Sequence, residues 1–209
     1  MIKSVIFDLY GTLLELSQDS KPFLNLAQSS SAISLGDALR IALTNHCPSL
    51  RDCATQLNLM LESDLDILEK NLHNDLERVR LYTDVIPTLK VLATSNIKIA
   101  VISNLATPYK LPFSRHQLES YFDVTVFSCD CGLMKPDPAI YKMALHKLDT
   151  LPHETIMVGD SLKSDVEGPS RVGIVSYHLK RTGNITDPLT ELSTLEAIPK
   201  IVSDSSSKR

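Results

Sequence analysis

The sequence predicts a doubly wound α/β fold built on a parallel sheet, with a small helical unit inserted near its start. Three observations carry this. Short apolar runs recur at 4–7, 98–102, 124–127, 156–158 and 173–177. Stretches of helical periodicity separate most of them, and strands that alternate with helices build parallel sheets. Several runs also end in polar residues, as strands do when they deliver side chains to the carboxyl edge of such a sheet.

The first run is Val5, Ile6 and Phe7, which has the character of a strand buried on both faces. Asp8 ends it with a carboxylate, and Leu9, Tyr10, Gly11 and Thr12 follow as a turn carrying a hydroxyl. Asp8 is thereby placed as a nucleophile. Residues 16–83 break the alternation, with helical patterns over 33–45 and 54–80 and no convincing strand. They read as an α-helical unit over the carboxyl edge, able to act as a lid, with 27–32 as a loop inside it. The core is then discontinuous, 1–15 and 84–209. Its helices show apolar faces at 84–95, through Val85, Leu89 and Leu92, and at 138–148, through Ile140, Met143, Ala144 and Leu148. Ser193-Thr194-Leu195-Glu196 has the pattern of a capping box opening a last helix. The serine-rich end, 203–209, reads as a frayed tail.

Composition narrows the function classes. With 209 residues and 43% hydrophobic content, the chain can bury one good core and a smaller appended unit. A net charge of −4 gives no electrostatic reason to expect nucleic acid as a partner. The apolar start is interrupted at Asp8, too early for a signal peptide or a membrane span, so a soluble cytoplasmic protein without a membrane partner is expected. Cys47, Cys53, Cys129 and Cys131 lack the paired spacing of a zinc site, and they read as small apolar side chains or inert thiols. Nothing in the sequence selects between monomer and homodimer.

Four segments end strands with chemistry. The first gives Asp8 and Thr12, the second Ser103 and Asn104, the third Lys135 in Lys135-Pro136-Asp137-Pro138, and the fourth Gly159-Asp160-Ser161 with Asp165 beyond. Each has a plain structural reading too. Ser103-Asn104 or Asp160 could cap a helix, Asp137 reads as a cap or turn, and Lys135 could be a solvated surface lysine. In one parallel sheet, however, all four ends point into the same crevice.

With these motifs in this order, the chain resembles the haloacid dehalogenase-like hydrolase superfamily over about residues 2–180. The resemblance implies a Rossmann-like core with a helical cap inserted after the first motif. It also implies a Mg²⁺ site formed by Asp8, the Tyr10 carbonyl and Asp160, with Asp165 direct or through water. Three carboxylates so close resist ionising together unless a cation is present, and oxygen ligands suit Mg²⁺. The implied reaction is attack of Asp8 on a small-molecule phosphate ester, giving an aspartyl phosphate that water hydrolyses. Lys135 counters phosphoryl charge, Thr12 and Ser103 hold the oxygens, and Asn104 positions.

Position 10 departs from the phosphatase pattern, where an aspartate two residues after the nucleophile carries protons. Tyrosine, with a reference pKa of about 10, does not replace it near neutral pH. Asp-x-Tyr-Gly-Thr resembles instead the 2-haloacid dehalogenases, which are metal-free with the aspartate attacking carbon, and Tyr141 matches a tyrosine of theirs. Those enzymes lack the fourth-motif aspartate, whereas this chain keeps Asp160 and has Leu162 at their asparagine position. Arg40 and Arg51, the early arginines of the helical unit, read as solvated helix residues. The expectation is therefore a Mg²⁺-dependent phosphatase with Tyr10 beside the substrate. A dehalogenase and a catalytically weak phospho-ligand-binding protein are the alternatives.

Overall fold

The computed structural model describes residues 1–16, 20–29, 33–59 and 63–205. Its centre is a six-stranded sheet in the order β5-β4-β1-β6-β7-β8, with every neighbouring pair parallel. The strands are β1 (Ser4–Phe7), β4 (Lys98–Ser103), β5 (Val124–Phe127), β6 (Thr155–Gly159), β7 (Val175–Leu179) and β8 (Glu191–Leu192). β1 is central, with Val5 between Ile99 of β4 and Ile156 of β6. Alternation divides its side chains: Val5 and Phe7 enter one apolar cluster, Ile6 another. Each such buried side chain contributes about 1.5–3 kcal/mol, so the strand that ends in Asp8 is clamped from both faces.

Helices cover both faces. α5 (Val85–Thr94) and α10 (Ile198–Asp204) bring Val85, Leu89, Leu92, Ile198 and Val202 against Val5, Phe7 and Val101. α8 (Pro138–Leu148) brings Ile140, Tyr141, Ala144 and Leu148 against Ile6, Ala100, Ile102 and Met157. Asp137 starts α8, accepting a hydrogen bond from Ala139 N at 2.8 Å. Short helices α6 (Leu111–Arg115), α7 (Ser128–Cys131) and α9 (Gly168–Ser170) fill the connections.

A two-residue ribbon, β2 (Leu14–Glu15) with β3 (Arg80–Leu81), joins the ends of the helical segment antiparallel. Between them lie α1 (Pro22–Gln28), α2 (Leu35–Thr44), α3 (Leu50–Gln56) and α4 (Ser63–Arg78). Phe23, Leu26, Ala38, Ala42, Leu50, Leu72 and Leu76 form their own core, into which Cys47 and Cys53 are also buried. Arg51 lies on the solvated side, paired with Asp66 at 3.0 Å. Among the described residues, no helix is long and apolar enough to cross a membrane.

Four expectations need correction. The periodic stretch 54–80 holds two helices: α3 ends at Gln56, with Asn58 at a left-handed φ of 54° just beyond it, and α4 runs from Ser63 to Arg78. Residues 27 and 28 of the expected loop belong to α1, while 30–32 lie outside the described residues. The last helix is introduced by Thr194, not Ser193; its hydroxyl accepts from Glu196 N at 3.3 Å and opens a 3-10 turn before α10. Ser203 and Asp204 continue α10, and the Ser205 hydroxyl accepts from Ile2 N at 3.1 Å. That contact ties the expected tail to the sheet; 206–209 lie outside the described residues.

Candidate active site

The four strand ends converge as the parallel sheet requires. Asp8 follows β1, held by its N–H donating to Val158 O at 2.9 Å. The Lys135 ammonium donates to Asp8 Oδ1 and to Asp165 Oδ1, both at 2.6 Å. All three side chains are buried, at 9%, 3% and 1% exposure for Asp8, Lys135 and Asp165. Lys135 is therefore no surface lysine. Asp165 is steadied through Oδ2, which accepts from Ser161 N at 3.0 Å. Asp160 is exposed at the mouth of the crevice, its carbonyl 2.9 Å from His178 Nε2 of β7.

Charge sets the state of this cluster. Burial pushes Asp8 up to about 7 against the pull of Lys135, and the Asp165 and Asp160 charges push the same way. Burial disfavours a charged Lys135, but Asp8 and Asp165 outweigh it and hold the ammonium above its ordinary value. Desolvation and then Asp165 raise Asp160. One carboxylate oxygen from each of Asp8, Asp160 and Asp165 lies within 4.8 Å of the others. Two glycines make this packing possible. A Cβ on Gly11, whose φ is +82°, would overlap the Asp160 carboxylate, and one on Gly159 would overlap that of Asp165.

The remaining residues divide by what their polar atoms touch. Ser103 and Thr12 are buried at the same edge, and Thr12 Oγ1 has no hydrogen-bond partner. Asn104 is committed elsewhere. Its amide donates to Lys135 O and accepts from Lys135 N, both at 2.8 Å, and so holds the lysine loop much as a neighbouring strand would. Tyr10 donates its hydroxyl to Tyr109 O at 2.8 Å and meets the Tyr109 ring edge-on at 5.7 Å. Burial, then Tyr109, pushes this phenol well above the usual tyrosine range. Tyr141 likewise donates to Ser164 O at 2.5 Å, in space left by the missing Cβ of Gly168. Neither phenol presents a free acid to the crevice.

Residues outside the four motifs also reach the site. Arg181, just past β7, donates to Thr12 O and to Asp84, both at 2.5 Å. Sequence gave no signal for either, since an arginine in a polar loop and an aspartate before a helix are ordinary surface patterns.

The haloacid dehalogenase-like hydrolase family model matches residues 5–179. A phosphoglycolate phosphatase of Nitrosospira multiformis is 30% identical over 77% of this chain and 76% of its own. Two further curated phosphatases match at 37% and 34% identity, but the match spans only 43% and 42% of their length. Among solved structures, a phosphatase of this family from Thermococcus onnurineus aligns with a TM-score of 0.67 at 26% identity, covering 96% of this chain and 98% of that one. A 2-haloacid dehalogenase from Pseudomonas syringae pv. Tomato DC3000 aligns equally, TM-score 0.67, covering 98% and 100%. At 22% identity it shares the fold alone.

Proposed function

The chain belongs to the haloacid dehalogenase-like hydrolase family, and from that premise we propose that it is a Mg²⁺-dependent phosphatase of small phosphate monoesters. The observation that carries the reading is the carboxylate cluster around a buried ammonium. Asp8, Asp160 and Asp165 against Lys135 leave two negative charges uncompensated when all are ionised. A divalent cation matches that excess, and hard carboxylate oxygens are the donors Mg²⁺ takes. Asp8, Asp160, the Tyr10 carbonyl and Asp165 would hold it. When bound, it supplies charge neutralisation for phosphoryl oxygens.

Asp8 is the nucleophile. Its carboxylate oxygen forms a bond to phosphorus as the ester P–O bond breaks, and the leaving oxygen departs as an alkoxide that takes its proton from solvent. Water then attacks phosphorus, breaking the acyl phosphate P–O bond, so that inorganic phosphate is released, a proton goes to solvent and the Asp8 carboxylate returns. Lys135 favours the ionised form of Asp8 against the opposing effect of burial and balances the transferring phosphoryl group, while Asn104 fixes the lysine loop. Thr12 and Ser103 orient the phosphoryl oxygens. Tyr10 carries no proton in this scheme, because its hydroxyl is engaged with Tyr109 O. Leaving groups that need little protonation, aryl and acyl phosphates, should then react faster than sugar phosphates. Losing an acid/base typically costs about 10²–10⁴-fold, so the gap should be large.

Against the dehalogenase reading stands the engagement of both tyrosine hydroxyls with backbone carbonyls, Tyr10 with Tyr109 O and Tyr141 with Ser164 O. Asp160 also stands where a haloacid's own carboxylate would be repelled. The test is a panel of aryl, acyl and sugar phosphates assayed with Mg²⁺ and with EDTA, alongside chloride release from 2-chloropropionate. Phosphate release that needs Mg²⁺ and favours good leaving groups is expected. Halide release in EDTA would establish the dehalogenase instead, and tight Mg²⁺ binding without any turnover would leave a binding protein.

A further inference from the structure

We infer that Arg181 is a positioning residue for the nucleophile loop, set in place by Asp84. The guanidinium donates Nη2 to the backbone carbonyl of Thr12 and Nη1 to Asp84 Oδ2. It lies 4.1 Å over the Tyr82 ring, with the two ion-pair side chains only 13% and 8% exposed. Asp84 stands at the start of α5 yet does not cap it. Its Oδ2 accepts instead from Thr194 Oγ1 and Leu195 N, both at 2.8 Å, as well as from Arg181. The loop after β1 and the chain returning from the helical unit thus meet at one guanidinium, and the approach to α10 joins them through the Asp84 carboxylate.

Thr12 Oγ1, Asp84 Oδ1 and Arg181 Nε are all buried without a hydrogen-bond partner, so no side-chain bond from Thr12 backs up the one to its carbonyl. Within the loop, Leu13 N and Leu14 N donate to Leu9 O and Gly11 N donates to Leu14 O; outside it, Tyr82 N donates to Leu13 O at 3.2 Å and Tyr10 donates to Tyr109 O. Arg181 adds to these the one charge-assisted side-chain bond onto the loop backbone among the described residues, at Thr12 O, and with it a constraint on the tilt of the loop against the sheet. Tilt matters because Gly11 packs against the Asp160 carboxylate and Asp8 begins the same turn. A displacement of about 1 Å at such a site can cost about 10²-fold in rate. Lysine does not replace the anchor, since one ammonium lacks the planar fork that reaches a carbonyl and a carboxylate together.

The inference deepens the phosphatase reading, and its kinetic arm rests on it. Arg181→Lys and Arg181→Met are assayed with para-nitrophenyl phosphate and Mg²⁺, and amide exchange is followed over residues 9–14 with β4 as the internal reference. Expected are a kcat lowered about 10- to 100-fold with KM within about threefold, and faster exchange at Gly11, Leu13 and Leu14 with β4 unchanged. Should Arg181→Met not fold, Arg181→Lys and Asp84→Asn carry the same measurement. A kcat within about twofold of wild type, a change in KM alone, or unaltered exchange in the loop overturns the inference. If wild-type protein turns over no phosphate ester, the proposed function fails by itself, and the exchange result alone decides the role of Arg181.

Discussion

Replacing Lys135 by methionine keeps the stem of the side chain and removes one buried charge. The ammonium sits 2.6 Å from two carboxylates, and the three side chains are 9% exposed or less. Breaking a buried pair by deleting one partner costs about 3–5 kcal/mol, because the other charge stays desolvated. Here the outcome should fall near the lower end. Both influences that lower Asp8 come from Lys135, so without it Asp8 takes up a proton at neutral pH and one of the two orphaned charges disappears. A loss of about 3 kcal/mol, with an m-value of about 2–3 kcal/mol/M in urea, moves the midpoint by about 1–1.5 M. The assay is urea unfolding followed by far-UV circular dichroism, in EDTA at neutral pH. The exposed Lys163→Met serves as control, expected within about 0.5 kcal/mol of wild type. If Lys135→Met unfolds within that same margin, the ammonium does not neutralise buried carboxylates and the electrostatic account of the site is wrong.

Other substitutions separate the remaining roles. Asp8→Asn should abolish phosphate release while leaving the unfolding midpoint close to wild type; surviving turnover removes Asp8 as nucleophile. Tyr10→Phe should cost about 1 kcal/mol, one hydrogen bond to Tyr109 O, and leave the dependence of rate on leaving-group pKa unchanged. A steeper dependence would instead make the Tyr10 hydroxyl a proton donor. Gly11→Ala forces a left-handed residue at a cost of about 1–2 kcal/mol and displaces the Asp160 carboxylate, so Mg²⁺ affinity by titration calorimetry should drop more than stability does. Burial would raise Asp84, but Arg181, Leu195 N–H and Thr194 hold its carboxyl below the ordinary value. The stability advantage of wild type over Asp84→Asn is then full above the ordinary carboxylate range and fades as pH falls through the depressed value. An advantage that grew on acidification would contradict the clamp.

How much was legible in the sequence follows from the range of each interaction. The strand Ser4–Phe7 and its carboxylate, the α8 face through Ile140 and Ala144, and the cap at Asp137 are local patterns. The structure carries them as read. The break at Asn58 is masked in the pattern, because Leu57 and Leu59 continue an acceptable helical periodicity; the structure closes α3 there locally, with Asn58 left-handed and Leu59 N donating to Ala54 O at 2.9 Å. Ser193 and Thr194 are equivalent as capping residues in sequence; Asp84, 110 positions away, accepts from Thr194 and so helps select it.

For the site, sequence alone determined the residue types and their order along the chain: Asp8, Ser103, Lys135, Asp160 and Asp165. A parallel sheet brings strand ends together whatever lies between them. What those side chains do to one another was decided by tertiary structure. Lys135 became a buried bridge between Asp8 and Asp165, Asn104 turned to hold its loop, and Tyr10 gave its hydroxyl to Tyr109. Arg181 reached back across the sheet to Thr12. The physical reason is that charge states and hydrogen-bond partners depend on burial and on distances of a few ångströms between segments far apart in the chain, which a linear pattern does not contain.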